Sequence, residues 1–391
     1  MSLLLVVSKL AEEKTGGVQT RIINYSKNLP KFDIKPTILA ISKTYPKISK
    51  EKYFGTTLYK FPRRKWFIFP WFLVKIIKRH KIDILHILEG ACGLLHVLSL
   101  FIARLLRLRT GLSLYAGEMT DVALQNKIIP KIKLNLSQKL AQKIAVNSKA
   151  TASIVPKRYK NKIAIVYPGV NLELLKYKVE KSKTNRINLL YVGRIFRKKG
   201  VDDLIKALAL VLEQFPHVYL TIVGATAKSE IYKQHAKDLG IKEEVEPDSI
   251  SVYKKLAEVL GIADKVKFTG EIRNLKKLAE FYSNCDIFLM TSKESKPPSG
   301  FESFGCVFLE AALFKKPVIG TRFYGIKEAV VDGSIGLLVE PDNPQDLARA
   351  IIKLIKNPDL RKKLGQAGYE RTLAHFKDID STRQLAGVYK D

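Results

Sequence analysis

Cysteine is scarce in this chain of 391 residues: Cys92, Cys285 and Cys306 are scattered, with no C-x-x-C pair and no even framework. That excludes a disulfide scaffold and a structural zinc site, and points to a reducing, cytoplasmic setting. The six histidines show no H-E-x-x-H or comparable spacing, so no bound metal and no cofactor is expected. Low-complexity tracts and internal repeats are missing too. So is a long uninterrupted apolar run. Ile84–Ala103 comes nearest, but His86, Glu89 and His96 fall within it and Gly90 and Gly93 break it. That pattern predicts a strand, a turn and a buried helix rather than a membrane span. The start, Met1-Ser2-Leu3-Leu4-Leu5-Val6-Val7-Ser8, has no positive leader and reads as a first strand rather than a signal peptide.

Acid is the other shortage. Against 68 Lys+Arg stand 37 Asp+Glu, a formal charge of +31. The imbalance is concentrated early: residues 1–165 hold 31 basic and 8 acidic side chains, the remainder 37 and 29. A basic half attracts polyanions, whether anionic lipid headgroups, nucleic acid or acidic glycans, and charge by itself does not choose. The cations are dispersed and no recognition motif accompanies them, so nucleic acid is not the expected partner. One segment is more pointed. Trp66-Phe67-Ile68-Phe69-Pro70-Trp71-Phe72-Leu73-Val74 lies between Arg63-Arg64-Lys65 and Lys75, Lys78, Arg79 and Lys81. It fits an interfacial membrane helix, and equally a core-facing helix started by Pro70 with a solvated basic face.

What is present in quantity is βα alternation, and 46% apolar residues leave ample material for cores. Strands are expected at Leu3–Val7, Pro36–Ile41, Leu58–Phe61, Ile84–Ile87, Leu112–Tyr115, Ile144–Ser148 and Ile163–Tyr167. A second set is expected at Ile187–Val192, Val218–Val223, Val266–Thr269, Ile287–Thr291, Val318–Gly320 and Gly336–Val339. Most are continuous apolar runs, as in parallel strands covered on both faces. The fold class is therefore α/β, with two doubly wound Rossmann-like domains. The expected boundaries are 1–168 for an acceptor-side domain, 169–186 for a polar linker opened by Pro168-Gly169, 187–368 for a second domain, and 369–391 for terminal helices.

Three places carry chemistry. Gly16-Gly17 follows the first strand and precedes a helix, where backbone amides can approach a phosphate, although a plain turn would look the same. Arg194 ends a strand and Lys199-Gly200 opens the next helix, so two cations meet where open α/β sheets bind ligands. Finally, Glu302 and Glu310 bracket Ser303-Phe304-Gly305 and an almost wholly apolar helix. With Ser303 as N-cap, the amides of Phe304, Gly305 and Cys306 would face a departing oxyanion. Glu310 suits vicinal hydroxyls of a ribose, and Glu302 those of a sugar. Buried carboxylates without a protein partner are costly, which favours a ligand for them.

The order of these pieces resembles retaining glycosyltransferases of the GT-B fold, in family four, also called glycosyl transferases group one. The matching elements are Gly16-Gly17, Asp83-Ile84-Leu85-His86, Ala141–Ser148, Pro168-Gly169-Val170-Asn171, Gly193-Arg194 with Lys199-Gly200, and Thr221-Ile222-Val223-Gly224. Glu302 and Glu310 with seven residues between, and Asp332–Val339, complete them. The resemblance implies two domains facing across a cleft that closes over a nucleotide sugar (UDP-, GDP- or ADP-linked), with the last helices crossing back to the first domain. It gives Glu302, Arg194 and Lys199 catalytic roles. Gly16, Gly17, Ser303, Phe304, Gly305 and Glu310 join them in holding the donor, Glu310 at the ribose. Many members carry a His after the strand equivalent to Leu112–Leu114; this chain has Tyr115-Ala116-Gly117-Glu118. Tyr115, Glu118 and His86 are therefore the acceptor-side candidates. The implied enzyme is a metal-independent transferase of hexosyl type acting on a glycan or lipid-linked acceptor in cell-surface assembly, peripheral to an anionic membrane. Its rivals are an epimerase on the same fold and a non-catalytic binder of sugar nucleotides or polyanions. The stretch Ala225–Ile250, with acidic Glu243-Glu244-Val245-Glu246, has no assigned role.

Overall fold

The computed structural model describes residues 1–8, 10, 17–88, 93–116, 128–180, 185–226, 248–294 and 301–390. The chain divides into two compact units: Met1–Gly169 together with Phe376–Asp391, and Val170–His375.

The first unit is built on an eight-stranded sheet. Its strands are β1 (Ser2–Val7), β2 (Lys35–Ser42), β3 (Ser49–Tyr53), β4 (Thr56–Pro62), β5 (Ile84–Ile87), β6 (Arg109–Leu114), β7 (Lys143–Val146) and β8 (Ile163–Ile165). The order is β3-β4-β2-β1-β5-β6-β7-β8, parallel except for β3 against β4. Successive side chains of a strand point to opposite faces. Accordingly Leu4 and Val6 of β1 enter one core with helices Phe69–His80, Leu94–Leu105 and Ile128–Leu140. Leu3, Leu5 and Val7 enter the other, with helix Gly17–Asn28 and the C-terminal helix Asp378–Gly387. The strand and helix expected within 84–103 appear as β5 and Leu94–Leu105, and the turn expected between them falls on 89–92, outside the described residues. Among the described residues no helix is long and apolar enough to cross a membrane. The aromatic segment divides between core and surface, as the core-facing alternative expected of its buried side. Phe69, Phe72, Leu73, Ile76 and Ile77 are buried, while Trp66, Phe67 and Trp71 stay exposed.

The second unit has β9 (Ile187–Val192), β10 (Val218–Val223), β11 (Val266–Gly270), β12 (Ile287–Met290), β13 (Val318–Thr321) and β14 (Gly336–Val339). All pairs are parallel, in the order β11-β10-β9-β12-β13-β14. The direction of winding reverses between β9 and β12, and that is where such sheets open a crevice beyond their carboxyl ends. Within the stretch expected as linker, Leu172–Tyr177 forms a 3-10 turn that buries Leu174 and packs on helix Leu275–Asn284. Likewise, residues 369–375 do not leave the second unit: they finish helix Pro358–His375, and the return to the first unit begins at Phe376.

Candidate active site

β9 ends at Val192 and runs on into Gly193 and Arg194. Gly224, at the end of β10, lies so near that a Cβ there would sit 1.8 Å from the Gly193 carbonyl. Tyr191 Oη donates to the Arg194 carbonyl at 3.0 Å, and the exposed Arg194 guanidinium lies over the Phe196 ring, 4.6 Å from its centre. A 3-10 turn at Arg197–Lys199 then leads through Gly200, whose φ of 64° suits glycine. No other residue fits, since a Cβ would come 2.1 Å from the Thr291 carbonyl. From the end of β12, Thr291 Oγ1 donates to Gly200 O at 2.9 Å and the Lys293 amide to Lys198 O at 2.9 Å. The cationic loop is thus pinned across the point where winding reverses.

Lys199 meets Glu302 in a half-buried ion pair. Burial would raise the Glu302 carboxyl, but the charge and hydrogen bond of Lys199, the charge of Lys198 and the Phe304 amide together hold it below the usual carboxylate value. The Glu302 loop is braced by Gly325, whose N–H donates to Glu302 O at 3.1 Å, and by Phe301 stacked on Tyr324 with centroids 3.9 Å apart. Glu310 accepts from Tyr282 Oη at 2.7 Å. Burial pushes its carboxyl up, and the Tyr282 bond partly offsets this. Tyr282 is itself fixed by stacking on Phe314 and by a helix, Leu275–Asn284, that Asn274 caps through the Lys277 amide.

Two expectations are corrected here. Ser303 is not the N-cap: helix Cys306–Leu313 starts after Gly305, whose φ of 90° forms the cap, and the Phe304 amide is taken by Glu302 rather than facing outward. Nor do the carboxylates lack protein partners, since Lys199 and Tyr282 supply them. The structure therefore joins Lys199 to Glu302, sets Glu310 beside Tyr282, and places Arg194 separately on Phe196.

A further cluster escaped the sequence reading. Lys293, 9% exposed, reaches Asp202 at 2.8 Å, Asp203 at 2.9 Å and Asp342 at 3.0 Å. Burial first, then the neighbouring Asp202, raise the Asp203 carboxyl to about 6 despite Lys293. The only signal in the sequence was Asp202-Asp203 opening a helix, which reads as ordinary dipole matching.

In the first unit His86 is corrected as well. It is fully buried in β5, with Nδ1 bonded to Tyr389 Oη and Nε2 to Ser113 Oγ at 2.8 Å. Burial lowers its pKa to about 3, and it serves the core rather than an acceptor. Tyr115 stands at the carboxyl end of β6, half-buried, with the Arg21 guanidinium 4.8 Å above its ring. Gly17 begins helix Gly17–Asn28. Gly16, Glu118 and 227–247 lie outside the described residues.

Two units of parallel-sheet α/β structure, one of them presenting basic and acidic side chains at its switch point, are the architecture of GT-B proteins. Known proteins agree. The model described as "Glycosyltransferase Family 4" matches residues 15–174, and "Glycosyl transferases group 1" matches 186–357. The chain belongs to this glycosyltransferase family. D-inositol 3-phosphate glycosyltransferase of Corynebacterium urealyticum is 29% identical over 263 residues, 64% of this chain and 57% of the relative. The chain thus spans little more than half of that protein. An uncharacterised glycosyltransferase of Methanocaldococcus jannaschii is 28% identical over 368 residues, 91% of this chain and 89% of the relative. Among solved structures, HepE of Anabaena in complex with UDP and glucose superposes with a TM-score of 0.72 at 19% identity, over 99% of both chains. Sucrose-phosphate synthase of Thermosynechococcus elongatus gives 0.71 at 19%, over 100% of this chain and 98% of the other. Both show the same fold.

Proposed function

We propose that the chain transfers a hexosyl group, with retention of configuration, from a nucleotide diphosphate sugar to a glycan or lipid-linked acceptor. The observation that carries this is the meeting of Lys199 and Glu302 beyond the carboxyl ends of β9 and β12, in a chain of this family. An ammonium has three donors, so pairing with Glu302 leaves Lys199 able to bind a phosphate oxygen as well. Arg194 supplies a planar fork for the same diphosphate, and the start of helix Cys306–Leu313 adds the positive end of its dipole. These groups stabilise the leaving diphosphate without a metal. Held ionised, Glu302 accepts hydrogen bonds from the sugar, and Glu310, oriented by Tyr282, from the ribose. The bond from the anomeric carbon to the diphosphate breaks, the acceptor hydroxyl oxygen replaces it, and the nucleoside diphosphate leaves with the electron pair and takes up the acceptor hydroxyl's proton. Retention is supported by the family resemblance, and Tyr115 is the acceptor-side residue.

The Anabaena neighbour holds UDP and glucose, so UDP-glucose is the donor to try first, with GDP- and ADP-sugars beside it. Calorimetry on wild type, Glu310→Ala and Arg194→Ala is the test. Micromolar binding of one donor, lost in both variants, is the expected result; no binding of any sugar nucleotide would overturn the proposal. The anomeric configuration of the product, read by NMR, decides retention. The basic first unit suits work at an anionic membrane surface, in assembly of cell-surface polysaccharide or glycolipid.

A further inference from the structure

Helices on the surface of a soluble domain turn apolar stripes inward and polar ones outward. Helix Ile128–Leu140 of the first unit has an apolar stripe on both sides. Leu134 is buried, while Ile128, Ile132 and Leu136, spaced four apart, face outward with Ile129 beside them. Ile128 is 73% exposed and Ile129 64%. The 3-10 turn Arg63–Ile68 buries none of its side chains and presents Trp66 and Phe67; Trp71 follows in the first turn of the next helix, 65% exposed. Leu94, at the start of helix Leu94–Leu105, is exposed too.

These positions share one edge. The three helices pack on the same sheet face, and neighbours in sequence touch. Each follows a strand of a parallel sheet, so its first turn lies at the sheet's carboxyl edge. That is also the edge to which β6 delivers Tyr115. Among the described residues, the charged side chains around these first turns are cations: Arg63, Arg64, Lys65 and Lys75 beside the tryptophans, and Lys131 and Lys133 beside the isoleucines. Lys75 Nζ lies 4.9 Å from the centre of the Trp71 ring. A patch of aromatic and aliphatic side chains set among cations is the complement of an anionic lipid headgroup layer.

We infer that this edge docks on an anionic bilayer, with Trp66, Phe67, Trp71, Ile128, Ile129 and Ile132 entering the interface and Arg63, Arg64 and Lys65 pairing with lipid phosphates. The inference rests on the transferase reading only for its purpose: it sets the Tyr115 edge against the surface where lipid-linked acceptors reside. Docking itself depends on the patch alone.

The chain has two tryptophans, Trp66 and Trp71, and both lie in the patch. Their emission therefore reports docking directly. Vesicles of phosphatidylcholine with phosphatidylglycerol should shift it to the blue and brominated acyl chains should quench it; phosphatidylcholine alone should do neither. The triple variant Arg63→Gln, Arg64→Gln, Lys65→Gln should bind about a hundredfold more weakly. The variant Ile128→Asn, Ile129→Asn, Ile132→Asn keeps both tryptophans, changes only exposed side chains and should lose the blue shift. The inference fails if wild type neither shifts nor sediments with anionic vesicles, if the isoleucine variant docks like wild type, or if duplex RNA displaces the vesicles. Calorimetry of UDP-glucose on the same samples separates the two claims. Donor binding should be unchanged in both variants, whereas docking without binding of any sugar nucleotide would sink the transferase reading and leave docking in place.

Discussion

Replacing Lys293 by Met strips the cation from a buried cluster and leaves Asp202 and Asp203, 4% and 5% exposed, facing each other. Removing one partner of a buried ion pair costs about 3–5 kcal/mol, because the other charge stays behind unmatched. A unit the size of 170–375 loses about 2–4 °C of melting temperature per kcal/mol. The second unit should therefore melt about 10 °C lower, measured by calorimetry with far-ultraviolet circular dichroism. The deficit should depend on pH. The Asp203 carboxyl stands at about 6, raised by burial and by Asp202. A raised carboxyl binds its proton more tightly folded than unfolded, so it adds stability as pH falls through 6 and loses it as pH rises. Without Lys293 that carboxyl rises further, and acidification from about 7.5 to about 5.5 should narrow the gap. Adding Asp202→Asn and Asp203→Asn should restore most of the loss, since no buried charge then lacks a counterpart. A variant melting within about 2 °C of wild type, or a deficit indifferent to pH, would refute the reasoning.

Other outcomes follow from the same geometry. In Lys199→Met the Glu302 carboxyl is no longer held down, so the acid limb of the pH–kcat/KM profile should move to higher pH, and Glu302→Gln should abolish that limb. Tyr282→Phe removes the donor to Glu310, whose carboxyl burial already raises; it should cost about 1–3 kcal/mol in urea unfolding and weaken donor binding most at low pH. Gly305→Ala forces φ of 90° on a residue with a Cβ, 2.7 Å from the Phe308 ring; stability should fall by at least about 1–3 kcal/mol, with donor binding impaired in calorimetry.

Of the fourteen strands among the described residues thirteen were expected, with ends within a few residues and most of them as apolar runs, because burial on both sheet faces writes itself into sequence. β3 was not. Its residues Ser-Lys-Glu-Lys-Tyr are largely exposed, and it is a strand only because Phe54 and Gly55, both with positive φ, fold it back onto β4. The Glu302 and Glu310 spacing was legible, whereas Tyr282 was not, since sheet order alone brings its helix beside Glu310. His86 looked chemical because imidazoles are; only the packed partners Tyr389 and Ser113, 303 and 27 residues away, reveal a core group. Lys293 sits in a run, Ser292-Lys293-Glu294, that resembles any solvated loop. Ser303 misled because propensity favours it as a cap, while the backbone turn at Gly305 decided where the helix starts.

The first unit holds both ends of the chain, with Tyr389 closing over His86. A ribosome therefore releases its eight strands long before the segment that completes it. At about 5–20 residues per second, roughly 10–40 s pass between the two, while the second unit emerges as an uninterrupted stretch able to fold at once. During that interval the pocket around His86 lacks its last side chain. Nascent chains should accordingly resist protease first in the second unit, and a stop codon shortly before Phe376 should yield a protein whose finished part is the later-made one.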